Sequence, residues 1–176
     1  MSDTAAPRWS GAALVNQPVA DPSGRVTAYA VRAMVPTQHG DPEDAAEVSL
    51  DAAYDATDLS TLSAGQPLLV DATRRVLGSA NPAVVARVSP SLAREPGIER
   101  LVAWRHARGL HTALDNFTAE DAQLTLLPMT RFVTVDVVRQ AGRLVELAGL
   151  AHDLGAEVIA DGATTWSSVE QSFADG

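Results

Sequence analysis

Five strand-length apolar runs, four of them closing on aspartate, constrain what this chain can fold into more than any other feature of its sequence. The runs are Pro67–Asp71, Val84–Val88, His111–Asp115, Phe132–Asp136 and Glu157–Asp161. A short, nearly continuous apolar run is the pattern of a strand covered on both faces. Amphipathic stretches lie between them, with helices predicted over Gly97–Arg108 and Val138–Leu154, and Gly109 and Gly155 as their C-terminal stops. A last helix is predicted from Thr165 to Ala174. Repeated strand–helix units on short connections imply a parallel sheet in an α/β architecture.

The chain opens differently. Ala12–Val19 and Arg25–Met34 read as two strands of a hairpin around Asp21-Pro22-Ser23-Gly24, where proline presets φ and Ser-Gly permits the reversal. Pro36–Asp44 is a polar loop. A helix is predicted from Ser49, because Leu50, Ala53, Tyr54 and Thr57 fall at helical spacing, and Gly65 closes it.

Asp71, Asp115, Asp136 and Asp161 end their runs. In a parallel sheet or barrel the C-terminal strand ends form the ligand face, so these four carboxylates are expected around one mouth. The alternative for any one of them is that it caps the next turn.

Composition narrows the chemistry. The 176 residues are 46% hydrophobic, enough for one domain with its own core, and the net charge of -9 disfavours a nucleic acid polymer as partner. There is no cysteine, which removes disulfides, zinc–thiolate sites and thiol nucleophiles. There is also no lysine: all 13 basic residues are arginine, so Schiff-base chemistry and a P-loop lysine are excluded. No apolar stretch is long enough to span a membrane and no signal-peptide pattern is present, so membrane insertion is not expected and a cytoplasmic location is.

Several segments together resemble the EAL domains, the cyclic di-GMP phosphodiesterase barrels. Val15-Asn16-Gln17-Pro18-Val19 with Asp21–Gly24 and Val26-Thr27-Ala28-Tyr29 is similar to the family's opening hairpin, "QP(I/V)…GRVVGYE". Ala113–Phe117 resembles "ALDDF", Leu127-Pro128 through Phe132–Asp136 resembles "LP…IKID", and Leu154–Gly162 resembles "LGA.VIAEGVE". Leu69–Leu77 looks most like "FINFTRELL" of the EAL subgroup that carries an HDOD domain. The resemblance runs from about Ala12 to Gly176, leaving residues 1–11 as a flexible N-terminal segment and 12–176 as a truncated, degenerate EAL-like domain.

The resemblance implies a TIM-like (β/α)₈ barrel with an antiparallel first strand. It implies two metal ions held by carboxylates and an asparagine, with a lysine nearby. By the same resemblance this sequence lacks most of that set. The glutamate of the EAL motif falls on Ala30 and the phosphate-gripping arginine on Met34. The metal-binding asparagine falls on Asp71, the strand-four glutamate on Arg87, the second aspartate of "DDF" on Asn116, the lysine on Thr134 and the glutamate of "GVE" on Thr164. Loss of phosphodiesterase activity is therefore expected, with no catalytic residue, no metal and no cofactor. Arg87 is expected to lie near Asp71 and Asp115 as an internal cation in place of the metals; the alternative is that it points outward. Gln17, Asp71, Asp115, Asp136 and Asp161 remain as candidate ligand-facing residues.

An EAL barrel continues into an eighth strand, whereas this sequence ends at Phe173–Gly176, so an incomplete barrel is expected. Its open edge would be covered by a second copy in a homodimer, by a different protein, or by the segment around Pro7-Arg8-Trp9. The first functional expectation is a non-catalytic regulatory or scaffold domain acting through protein–protein contacts. The second is a cyclic di-GMP sensor without turnover. The third is altered chemistry on Asp115, Asp136 and Asp161. His39, His106 and His111 read as ordinary histidines, Trp104 and Trp166 as packing residues, and Arg74, Arg75, Arg100, Arg105 and Arg108 as solvated helix faces.

Overall fold

Asp21 sets the first reversal. Its Oδ1 accepts from the backbone N–H of Ser23 and Arg25 at 2.9 and 3.1 Å, and Gly24 takes the left-handed φ of 81° that the turn requires. The two strands it joins, β1 (Ala13–Ala20) and β2 (Val26–Met34), pair antiparallel. The computed structural model describes residues 13–34, 50–57, 59–63 and 65–163. The flexible segment expected over 1–11, the loop Pro36–Asp44 and the helix Thr165–Ala174 lie outside the described residues, as do Trp9, His39, Thr164 and Trp166.

From β2 onward every strand is parallel to the last. Helix α1 (residues 50–56) and α2 (Leu59–Ser63) lead to β3 (Leu68–Asp71), and α3 (Arg74–Leu77) leads to β4 (Val84–Val88). Then come α4 (Pro90–Ala93), α5 (Ile98–His106), β5 (Thr112–Leu114), α6 (Asp121–Leu126) and β6 (Phe132–Asp136). Helix α7 (Leu144–Asp153) and β7 (Glu157–Asp161) follow. Spatial order equals sequence order, β1 through β7, and β1 and β7 do not pair. The described strands form a half-barrel, not a closed ring.

Alternation along the strands creates two cores. Outward-facing Val31, Leu68, Val70, Ala86, Val133 and Val135 are buried beneath the helices. Inward-facing Ala28, Ala30, Leu69, Val85 and Ala113 form a smaller cluster on the concave side. Because each fully buried Val or Leu contributes about 1.5–3 kcal/mol, the outer layer carries most of the hydrophobic stabilisation. The small inner residues instead leave room inside the sheet. Among the described residues no helix is long and apolar enough to cross a membrane.

Three expectations need correction. The helix predicted from Ser49 to Gly65 breaks at Thr57 into α1 and α2. The helix predicted over Val138–Leu154 begins only at Leu144. The Oδ1 of Asp136 accepts from the N–H groups of Val138 and Arg139 at 3.0 and 2.9 Å, holding residues 137–143 in turns. From Leu144 the apolar spacing asserts itself, and Leu144, Leu147, Ala148 and Ala151 form one buried face. Arg105, grouped with the solvated helix faces, is in fact fully buried, because it follows Ile98 and Val102 on the inward stripe of α5.

The short helices α3 and α4 escape the apolar pattern, yet their caps are written in the sequence. Thr73 Oγ1 accepts from Val76 N at 3.1 Å, and Ser89 Oγ accepts from Leu92 N at 3.2 Å with Pro90 just inside.

Candidate functional site at the mouth of the half-barrel

The C-terminal ends of the parallel strands converge on a buried guanidinium. Arg87, the fourth residue of β4, faces inward between Asp71 at the end of β3 and Asp115 just past β5, with its side chain 1% exposed. Its Nε and Nη2 donate to Asp71 Oδ1 at 3.0 and 2.5 Å, and its Nε lies 3.6 Å from Asp115 Oδ1. Register explains the contact, since Asp71 and Arg87 are direct partners in the β3–β4 pairing. Burial pulls the guanidinium pKa down, but Asp71, Asp115 and Asp161 outweigh it and hold the net value above the ordinary one. Arg87 is therefore a permanent internal cation.

Asp115 is held from three sides. Thr134 Oγ1, on β6, donates to its Oδ1 at 2.9 Å while accepting from Asn116 N at 3.1 Å, and Asn116 Nδ2 donates to its Oδ2 at 3.1 Å. The loop carrying it has left-handed backbone at Asn116 and Ala119, φ 45° and 62°. Buried Gln123 clamps that loop: its Nε2 donates to the carbonyls of Asp115 and Asn116, and its Oε1 accepts from Thr118 N at 3.0 Å. The cost of non-glycine residues at positive φ is offset by these bonds. Sequence reading passed over Gln123; a polar residue on the inward face of a short helix was the available signal.

The other two aspartates divide. Asp161, at the end of β7, takes a salt bridge from Arg32 on β2. That pair joins β2, next to one edge of the open sheet, to β7 at the other edge, 129 residues apart in sequence. Arg32 was also missed, because facing on β2 could be read only once the hairpin register was known. Asp136 instead caps the turn after β6, the alternative reading for a strand-ending aspartate, and pairs with Arg139 at 3.4 Å. Gln17 sits opposite Ala30 in the β1–β2 pairing, exposed, on the wall of the cavity.

That cavity, about 750 Å³, occupies the concave side of the sheet. Ala28, Ala30, Leu69, Phe132 and Ile159 supply its apolar wall, while Arg32, Arg87, Thr134 and Asp161 supply its polar one. Among the described residues no cluster of three histidine, aspartate or glutamate side chains is arranged to hold a metal ion. A divalent ion does not fit between Asp71 and Asp115, because a guanidinium stands there.

Tyr54 closes the outer side of the mouth, its hydroxyl donating to the Asp71 carbonyl at 3.2 Å. Burial, reinforced by the Asp71 charge, pushes its phenol well above the ordinary range.

Comparison of the coordinates with solved structures places this architecture. The YkuI protein of Bacillus subtilis, with an EAL domain and in complex with substrate c-di-GMP and calcium, superposes with a TM-score of 0.71 at 14% identity. The fold is that of the EAL domains. The alignment with YkuI covers 93% of this chain and 52% of that one, so the chain spans about half of YkuI. The phosphodiesterase PaMucR, in a c-di-GMP complex, matches at TM-score 0.70 and 17% identity over 94% of this chain and 91% of its own. An EAL domain protein of Listeria monocytogenes EGD-e matches at 0.67 and 15%, covering 96% and 84%. No protein-family model matches the sequence, and no curated protein matches it either. The EAL fold, with its antiparallel first strand, agrees with the resemblance seen in the sequence, here as a seven-stranded half-barrel.

Proposed function

We propose that this chain is a degenerate, cytoplasmic EAL-fold protein that does not hydrolyse cyclic di-GMP and acts in regulation or as a scaffold through contacts with other proteins. The observation that carries the reading is the Arg87 guanidinium, buried and bonded to Asp71 while facing Asp115. Metal-assisted phosphodiester hydrolysis needs carboxylates free to hold hard cations, and here a fixed organic cation uses them. Arg32, partly exposed, engages Asp161 as well, and Ala30 offers no ligand atom where the resemblance puts a glutamate. Because the sequence contains no lysine, the lysine of the family's reaction cannot come from any position. The likeness of Leu69–Leu77 to the HDOD-linked subgroup points to a signalling context.

The direct test is turnover. Purified protein with cyclic di-GMP and Mg²⁺ or Mn²⁺ should release no linear dinucleotide above the no-protein control; product that disappears on Asp115→Asn would overturn the reading. A complementary test introduces Arg87→Glu, which puts a third carboxylate beside Asp71 and Asp115. That variant, but not the parent, should gain Mn²⁺-dependent thermal stability, about 2.7 kcal/mol at a hundredfold excess over Kd.

A cyclic di-GMP sensor is the second reading, favoured by a ligand-sized cavity with two arginines at its mouth. YkuI and PaMucR are both described as c-di-GMP complexes. Against it, both arginines already have carboxylate partners, and a dianionic ligand would have to displace them. Isothermal titration separates the two: no heat at high ligand concentration favours protein contacts, and micromolar binding favours the sensor.

A further inference from the structure

The chain has more acid than base, and nearly every described arginine has found an acid. Arg25, Arg32, Arg74, Arg75, Arg87 and Arg94 are in salt bridges, as are Arg131, Arg139 and Arg143. Arg105 is buried on backbone carbonyls. Two exposed arginines remain with no carboxylate partner among the described residues, Arg100 and Arg108, four residues before and four after Trp104 in the sequence. Arg100 and Trp104 lie four residues apart on α5, the interval that puts side chains on one face of a helix, and Arg108 follows in the turn just after it. The Arg108 guanidinium stacks over the Trp104 ring, 4.3 Å from its centroid.

Beside this ridge runs a shallow groove between α3 and α5, lined by Arg74, Pro96, Gly97, Arg100, Leu101 and Trp104, with no carboxylate in its wall. Arg74 is anchored at its rim by Glu95 at 2.6 Å and by the Pro96 carbonyl at 3.2 Å. Gly97, at φ 88°, has no side chain to fill the gap: a Cβ there would stand 4.0 Å from both Arg100 Nη2 and Arg74 Nη1. The groove thus combines an apolar floor, an aromatic anchor and guanidinium groups, the residue types that carry binding energy in protein interfaces.

We propose that the α3–α5 groove with the Arg100–Trp104–Arg108 ridge is a docking surface for a short acidic segment of a partner protein, in which carboxylates flank an apolar side chain. Charge decides the class of occupant. A phosphate-dense polymer would meet the repulsion of a molecule with net charge -9, whereas a few carboxylates beside an apolar residue match two unpaired guanidinium groups over Leu101 and Trp104. The proposal rests on the protein-contact reading above, and it names the surface and the chemistry of the contact. It is tested apart from the mouth, since peptide binding and dinucleotide turnover are separate measurements on separate residues.

The experiment is calorimetric titration of the full chain with a peptide alternating glutamate and leucine, against the same peptide with glutamine for glutamate. The expected result is saturable binding of the acidic peptide that weakens with added salt. Affinity should fall at least tenfold in the Arg100→Gln/Arg108→Gln double variant and in Trp104→Ala, and stay unchanged in Arg131→Gln. Circular dichroism melts of the double variant should match the parent, because both side chains are exposed. Absence of binding, equal binding of the glutamine peptide, or equal binding in the double variant would overturn the proposal. So would tighter binding of a single-stranded oligonucleotide, or self-association in sedimentation that the double variant abolishes, which would give the surface to a nucleic acid or to a second copy of this chain.

Discussion

The mouth and the base of the half-barrel each bury one arginine, and the two are stabilised in opposite ways. At the mouth Arg87, 2% exposed, is matched by carboxylates that hold its pKa up. At the base Arg105, 0% exposed, meets no carboxylate, and burial pulls its pKa down. Its Nη1 donates to the carbonyls of Val76 and Ser79 at 3.2 and 3.0 Å, and its Nη2 to those of Val84 and His111 at 2.8 and 3.1 Å. One cation answers full charges where a ligand would bind, and the other answers only dipoles where the chain must be tied together. A buried arginine reports a site only when its partners are themselves groups with chemistry to spare.

The largest effect should come from breaking the base. Arg105→Leu removes four buried hydrogen bonds, although the Val76 and His111 carbonyls keep the N–H groups of Ser79 and Ala86 at 3.1 and 3.3 Å, and should cost about 4 kcal/mol, a fall in Tm of roughly 8–16 °C in a thermal melt. Arg87→Leu should cost less, about 2–3 kcal/mol in urea unfolding, because Asp115 is left buried without its cation while Asp71, 31% exposed, can still reach water. If the two variants cost the same, the distinction between dipole-held and charge-held arginine fails.

Tyr54→Phe sharpens the contrast through pH, at about 1 kcal/mol near neutrality for the lost bond to the Asp71 carbonyl. The phenol's pKa is raised in the fold, so its stabilising effect is complete below the unfolded value near 10 and is lost as pH climbs from there toward the folded value. The parent should therefore lose stability above about pH 10 more steeply than Tyr54→Phe in urea titrations. Both buried arginines stay charged well above neutrality and should add no slope between about pH 5 and 9. The smallest effect belongs to Arg32→Gln, about 0.5 kcal/mol and fading with salt, because both members of the pair with Asp161 are partly exposed. A larger loss would mean that this pair, and not strand packing, holds β2 and β7 together across the open side of the sheet.

The legible part of the site was the part written locally. The Asp21 turn and all seven strands were read from the sequence; that Arg87 would neighbour Asp71 and Asp115 followed from the sequence order of strands in a βα repeat, but its inward facing was one of two readings, and the structure chose it. Asp136 was legible only as one of two readings, and the structure chose the cap. Arg105 was misread because an arginine on a surface helix is exposed by default, and only the carbonyls waiting at the start of β4 and just before β5 reverse that preference. Gln123 stayed hidden because its partners are backbone groups of a left-handed loop, which carry no residue-type signal.

Strand length, turn chemistry and the order of apolar runs therefore specified the sheet, because each depends on neighbours a few residues away. Only tertiary structure decided that Arg32 would meet Asp161 across the mouth, and that Arg100 and Arg108 would be left without acids beside Trp104. Those outcomes depend on how far the sheet curves and on which face each side chain takes. A register shift of one residue in β2 or β7 would break the Arg32–Asp161 pair while leaving the pattern of the sequence unchanged.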